Sequence, residues 1–208
     1  KNLLEKGIIH NDLKLQNILF SYNEGKTVYY LCDLGGFSIP GKGIVDYAVT
    51  YTPYFIAKGG YDENEKGKIV VVYGIGIIVL QTLIGLLNLL VEMPYPDNFW
   101  NEKDIEILRA VYNNIKNEFY QTGEIAHIVD LLLKKGMLKE NNFKNLIKEE
   151  NYLKIITYFD YFWSKFSQDQ DPVDSDKSRN ICYALIRNIP KMLLYEITIE
   201  EVADLLAP

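Results

Sequence analysis

The sequence predicts a mainly α protein with one small β-hairpin, an α+β fold built around a buried hydrophobic central helix. Three observations predict it. Residues 69–91 carry no charge. Apolar residues recur at helical spacing from about residue 101 onward. Two short runs rich in β-formers, within 18–20 and 27–32, flank a polar stretch with turn chemistry.

Each element follows in order. Lys1 to Gly7 reads as the last turns of a helix closed by a glycine, so a longer chain is expected upstream. Ile8, Ile9 and His10 lead into a polar loop ending at Asn17. Ile18-Leu19-Phe20 and the run from Thr27 to Cys32 then form the hairpin, with Ser21 to Lys26 between them. From Leu34 to Tyr54, glycines, prolines and scattered polar residues predict a long irregular segment, the kind that carries function or stays disordered.

Residues 69–91 admit two readings, a bilayer span by length or a helix buried on all sides of a large core. Gln81, Thr82 and Asn88 lie within the stretch, and no basic cluster at either end sets an orientation. Further helices are predicted around Ile105 to Ile115 and Ile128 to Met137, and at about 143–166, 178–194 and 198–206. Thr198-Ile199-Glu200-Glu201 has the spacing of a capping box. The acidic stretch from Ser167 to Arg179 lacks the glycine and glutamate of a calcium loop and reads as a solvated loop.

The chain has 208 residues, 48% hydrophobic and 24% charged, which suits one domain spanning 1–208 or one large lobe of a bigger protein. A net charge of −6 supplies no global basic field, so no nucleic-acid partner is expected. Two cysteines, Cys32 and Cys182, argue against a disulfide scaffold and for a reducing, intracellular compartment, taken as the cytoplasm. No secretory leader is expected.

The chemistry concentrates in two places, His10-Asn11-Asp12-Leu13-Lys14-Leu15-Gln16-Asn17 and Asp33-Leu34-Gly35-Gly36. The first supplies a carboxylate, an ammonium and a carboxamide, and the second another carboxylate. The hairpin between them folds Asp33 back beside Asn17. This set offers a proton acceptor, a phosphate-neutralising cation and two hard oxygen ligands suited to Mg²⁺. Phosphoryl transfer asks for such positioning and charge neutralisation.

The first stretch resembles the protein-kinase catalytic loop H-R-D-L-K-x-x-N, and Asp33-Leu34-Gly35 resembles the D-F-G magnesium motif. The resemblance implies the C-terminal lobe of a protein kinase of serine/threonine type. Its catalytic loop would be 10–17, its magnesium motif 33–35, its activation segment 33–57, its central helix about 68–91 and its helical remainder 101–208. It implies Asp12 as catalytic base, Lys14 on the transferring phosphate, and Asn17 and Asp33 on Mg²⁺, with Gly35 completing the motif beside ATP. Leu19 would be the floor beneath the adenine, and His10 and Leu34 structural spine residues.

Thr52-Pro53-Tyr54-Phe55-Ile56-Ala57 resembles the T-P-x-Y-x-A stretch that ends the activation segment, with Thr52 bonding to the catalytic Asp and Lys. Gly74 to Gly85 resembles the buried central helix, so a core helix and no membrane span is expected. The resemblance is carried by both ends of the chain and is thin between about 95 and 190. It implies ATP and Mg²⁺ as cofactors, a protein substrate or partner protein, and an N-terminal lobe outside these residues, without which the fragment would be inactive.

Several positions depart from the family. Asn11 replaces the arginine that grips a phosphorylated loop, Leu34 replaces phenylalanine, and Ala57-Lys58-Gly59 stands where A-P-E is expected. Glu196 occupies the place of the arginine that would pair with that absent glutamate, and Val71 that of the aspartate fixing the catalytic loop. These losses make a pseudokinase-like binding or scaffold module the alternative expectation.

Overall fold

A computed structural model of the chain describes residues 2–23, 26–33, 37–39, 63–92 and 175–206, with 106, 109, 113, 129, 132–136, 138–139 and 142–143 between them. It is a mixed fold, predominantly helical with small antiparallel sheets, as the composition of elements predicts.

Helix α1, Asn2–Glu5, ends as expected at a left-handed glycine. Gly7 has φ +67, and the Ile8 amide donates back to the Leu3 carbonyl at 2.8 Å. Strand β1, Ile9–His10, follows at once, and the chain then makes a single 3₁₀ turn at Leu15–Asn17. Strands β2, Ile18–Asn23, and β3, Lys26–Leu31, form the predicted hairpin, with Ile18 opposite Leu31 and Asn23 opposite Lys26. The strands run deeper into the polar stretch than the sequence suggests, and Cys32 falls just outside β3.

Strand β4, Phe37–Ser38, pairs antiparallel with β1, His10 facing Phe37. This corrects the expectation of an unbroken irregular segment from 34. A two-residue strand has no period to read.

Helix α2, Glu63–Glu92, runs past the expected 68–91 at both ends. Its first turns are Glu- and Lys-rich, hence good helix formers that hydropathy alone does not count. Ile69, Val70, Val72, Tyr73, Ile77, Leu80 and Leu83 are buried, while Thr82 and Gly85 face outward. By length and composition Gly67–Leu86 is also apolar enough to cross a membrane, and half of that window is buried.

The helix expected at 178–194 is two helices, α3 Ser175–Arg187 and α4 Ile189–Leu193. Pro190 lacks the amide that would continue the ladder and is tolerated only in a first turn. Asn188 fills the joint, its Nδ2 donating to the Ala184 carbonyl at 2.8 Å. Residues 175–179, read as acidic loop, belong to α3, because Ser and Asp at a helix start favour it. Helix α5, Ile199–Leu205, has the predicted capping box: Thr198 Oγ1 accepts from the Glu201 amide at 3.2 Å, and Glu201 Oε2 accepts from the Thr198 amide at 2.7 Å. Of the helical remainder from 101, Glu106, Arg109, Asn113, Val129 and residues 132–134 are helical. The helix expected at 143–166 lies outside the described residues beyond Phe143.

The chain forms two compact units. One comprises Lys1–Ile78 with Lys191–Pro208, and its core includes Ile9, Ile69, Val72, Met192, Leu193 and Val202. The other is Val79–Pro190, with Leu80, Leu83, Leu132, Leu138, Phe143, Ile186 and Ile189 buried in it. All the described candidate site residues belong to the first unit.

Candidate active site

The site is assembled around one buried imidazole. Ile9 and His10 are each 2% exposed, so β1 carries the start of the loop into the core. The Asp12 amide donates to His10 Nδ1 at 3.2 Å, and a backbone N–H has no other role to play. With Nδ1 accepting, Nε2 is the ring nitrogen left to donate, and it meets the Cys32 carbonyl at 3.1 Å. One ring thus ties the loop after β1 to the residue after β3. The Phe37 ring stands edge-on to it, centroids 4.7 Å apart at 71°.

Asn17 makes the second tie. It is 6% exposed, and its Nδ2 donates to the Asp12 carbonyl at 2.7 Å and to Asp12 Oδ2 at 3.1 Å. Its own carbonyl accepts from the Cys32 amide at 3.0 Å. Lys14 completes the cluster, with Nζ 2.7 Å from Asp12 Oδ2. The pair is largely sheltered, side-chain exposures being 25% for Lys14 and 14% for Asp12. Asp12 Oδ2 thus takes two donors, one charged. Asp12 Oδ1 is buried and takes no hydrogen bond from the described residues. A buried oxygen left in that state costs roughly 1–3 kcal/mol.

Asp33 follows Cys32 directly and is exposed, with φ 63. Aspartate tolerates this left-handed region better than most residues, and the turn ends the extended run of β3 there. Because Cys32 is bonded to Asn17, Asp33 leaves the strand beside Asn17. Leu19 lies one position further along β2, opposite Tyr30, and is 54% exposed.

The Asn17 carboxamide and the Asp33 carboxylate carry oxygens of the type that magnesium takes. Asn17 spends its amide nitrogen on Asp12, which turns its carbonyl oxygen the other way. With the Asp33 carboxylate that makes two hard oxygen donors. Mg²⁺ is commonly held by one or two protein groups and takes its remaining ligands from water and phosphate. Among the described residues no three His, Cys, Asp or Glu side chains converge, so an all-protein metal cage is not built there.

The structure therefore brings His10, Asp12, Lys14 and Asn17 into one bonded cluster and joins Asp33 to it through Cys32. Leu34, Gly35 and Thr52 lie outside the described residues. Among the described residues, the ring that stands against His10 is that of Phe37. Cys32 and Phe37 are the participants that sequence reasoning missed. Cys32 acts through its main chain, which any residue supplies, so no side-chain signal could have marked it. An aromatic directly after Gly35-Gly36 was the available clue to Phe37. No family model matches the chain, and no solved structure matches it.

Proposed function

We propose that the chain is the C-terminal lobe of a divergent protein kinase, transferring phosphate from ATP to protein serine or threonine with an N-terminal lobe that lies outside these residues. The observation that carries the reading is the clasp around Asp12. A carboxylate is fixed by Asn17 and paired with Lys14, takes no hydrogen bond on its other oxygen from the described residues, and stands on a loop tied to Asp33.

In this reading Asp12 orients the substrate hydroxyl and accepts its proton, and Lys14 moves from Asp12 to the transferring phosphate. The Asn17 and Asp33 oxygens would hold Mg²⁺, which neutralises the phosphate charge. His10 fixes the main chain at both ends of the constellation. Leu19, exposed on the hairpin, offers an apolar surface to an adenine. Phe20 and Tyr29, exposed at 73% and 69% on the other side of the hairpin, are further surface for a missing lobe to cover.

A second reading, a binding or scaffold module without transfer, has its own support. Asp12 Oδ1 is closed to solvent, and Asn11, buried at 6% exposure, supplies no cation at the position of the family's arginine. A radiolabelled-phosphate assay on the full-length protein separates the two. Transfer by the native protein that disappears on Asp33→Ala supports the kinase reading. Equal signal from both proteins would remove it.

A further inference from the structure

We propose that Leu13 and Gly74 are positioning residues for Asp12, the loop being seated on α2 by an apolar knob in a glycine notch. The proposal rests on the phosphoryl-transfer reading and adds to it how the loop is held. Val71 cannot hydrogen-bond the loop main chain through its side chain, and the notch supplies a grip on α2 beside the ties from His10 and Asn17.

That grip is on the adjoining turns of the helix. Gly67, Val71 and Gly74 follow one another at intervals of four and three residues, hence on one face of α2. A Cβ at position 74 would stand 2.5 Å from Leu13 Cβ, 3.3 Å from its Cδ1 and 3.4 Å from its Cγ. Leu13 is seated where any other residue at position 74 would be. Asp12 and Lys14 flank it, and Lys14 is extended (φ −153, ψ 163). In extended chain neighbouring side chains alternate in direction. While Leu13 meets the helix, Asp12 and Lys14 on either side of it meet each other at 2.7 Å.

The two notches differ in what they control. At Gly67 the atoms met are the outer atoms of the Ile9 side chain, Cδ1 and then Cγ1 at 2.8 Å, and a change of rotamer relieves part of the clash. At Gly74 the closest atom is Leu13 Cβ, which no rotamer moves. Carbon contacts settle at about 3.5–4.0 Å, so a methyl at 74 has to push the loop main chain outward by about 1 Å. A displacement of that size at reacting groups costs on the order of 10²-fold in rate.

The test compares Gly74→Ala, Gly67→Ala and Gly85→Ala in the full-length protein. Gly85 is a control with nothing within 4 Å of an added Cβ. Gly74→Ala is expected to lower kcat on the order of 10²-fold while KM for ATP changes less than about threefold. Gly67→Ala lowers thermal stability with kcat nearly unchanged. Amide hydrogen exchange across 12–17 is expected to accelerate in Gly74→Ala alone. Equal loss of kcat in the Gly67 and Gly74 variants, or unchanged exchange in 12–17, overturns the proposal. If the native protein transfers no phosphate, the kinase reading fails, and exchange still decides whether the notch holds the loop. If Gly74→Ala does not fold, Leu13→Ala replaces it, with the same acceleration expected from an emptied notch and the same null result decisive against it.

Discussion

Lys14 Nζ lies 2.7 Å from Asp12 Oδ2, so the loop's cation is held on its carboxylate across a single intervening residue. The ammonium neutralises a carboxylate that is 14% exposed. Removing it leaves Asp12 with Asn17 as the remaining donor to that oxygen among the described bonds.

Lys14→Ala is therefore expected to do two separable things. The uncompensated carboxylate should lower stability by about 1–2 kcal/mol, less than for a fully buried pair, read from urea denaturation. Phosphoryl transfer should fall far more than that loss explains, on the order of 10²-fold or beyond. A variant with normal turnover would detach Lys14 from the chemistry.

Asn17→Asp places a carboxyl where an amide donor now stands 3.1 Å from Asp12 Oδ2. Two carboxylates that close resist ionising together, so the introduced group is held protonated above its ordinary range. A raised folded-state pKa contributes stability below the unfolded value and loses it as pH rises through the folded value. Relative to the native protein at each pH, the variant should lose about 2–4 kcal/mol near pH 7 and recover part of it near pH 4. Urea midpoints at the two pH values check this, and a loss independent of pH would exclude carboxylate repulsion as its cause.

At the other end of the chain, Thr198→Ala should cost about 1 kcal/mol through the lost cap, measured by thermal denaturation. The Glu201 carboxyl sits below the usual carboxylate range, first because it accepts from the Thr198 backbone amide and then from the Thr198 hydroxyl. A depressed pKa stabilises above the unfolded value and ceases to as pH falls through the folded one. Glu201→Gln should thus cost stability at neutral pH and little in acid, a contrast that denaturation at both pH values reads.

Gly85 and Gly76 predict opposite signs within one helix. Nothing lies within 4 Å of an added Cβ at 85, so Gly85→Ala should stabilise by up to about 1 kcal/mol. At 76 the added carbon meets Met192 Cβ at 3.0 Å and Leu193 Cδ2 at 3.1 Å, so Gly76→Ala should destabilise. Midpoints from chemical denaturation decide both.

The apolarity of α2 supplies the last prediction. If it is the core helix of this lobe, alkaline carbonate should release the protein from membranes into the supernatant. Retention in the pellet would turn Gly67–Leu86 into a span and the lobe reading with it.

What the sequence made legible depended on where side chains report on backbone. The hairpin and α2 announce themselves through composition over many residues, and the cap of α5 through two side chains at fixed spacing. The break at Asn188 was readable from Pro190 but hidden by apolar periodicity continuing across it. The pairing of β1 with β4 was not readable, because two residues cannot establish a pattern. At the site, the residue set Asp12, Lys14, Asn17 and Asp33 was legible as chemistry. The bonds joining it were not. His10 reaches Cys32 and Asp12 through main-chain atoms, and Leu13 reaches α2 at a position distinguished by having no side chain at all.

The exposed faces of the hairpin leave its register to be fixed at its two ends. Phe20 and Tyr29 project from one side of the ribbon and Leu19 and Tyr30 from the other, all of them exposed. A shift of pairing by one residue exchanges the two sides, and with similar apolar groups on both, water penalises that exchange little. Only Glu24 and Gly25 separate the strands, and the grip of Asn17 and His10 on Cys32 anchors the other end. Slippage would carry Asp33 about 3.3 Å along the strand axis and away from Asn17. Strand alignment, set by main-chain bonds at Cys32, therefore fixes where Asp33 leaves the hairpin relative to Asn17.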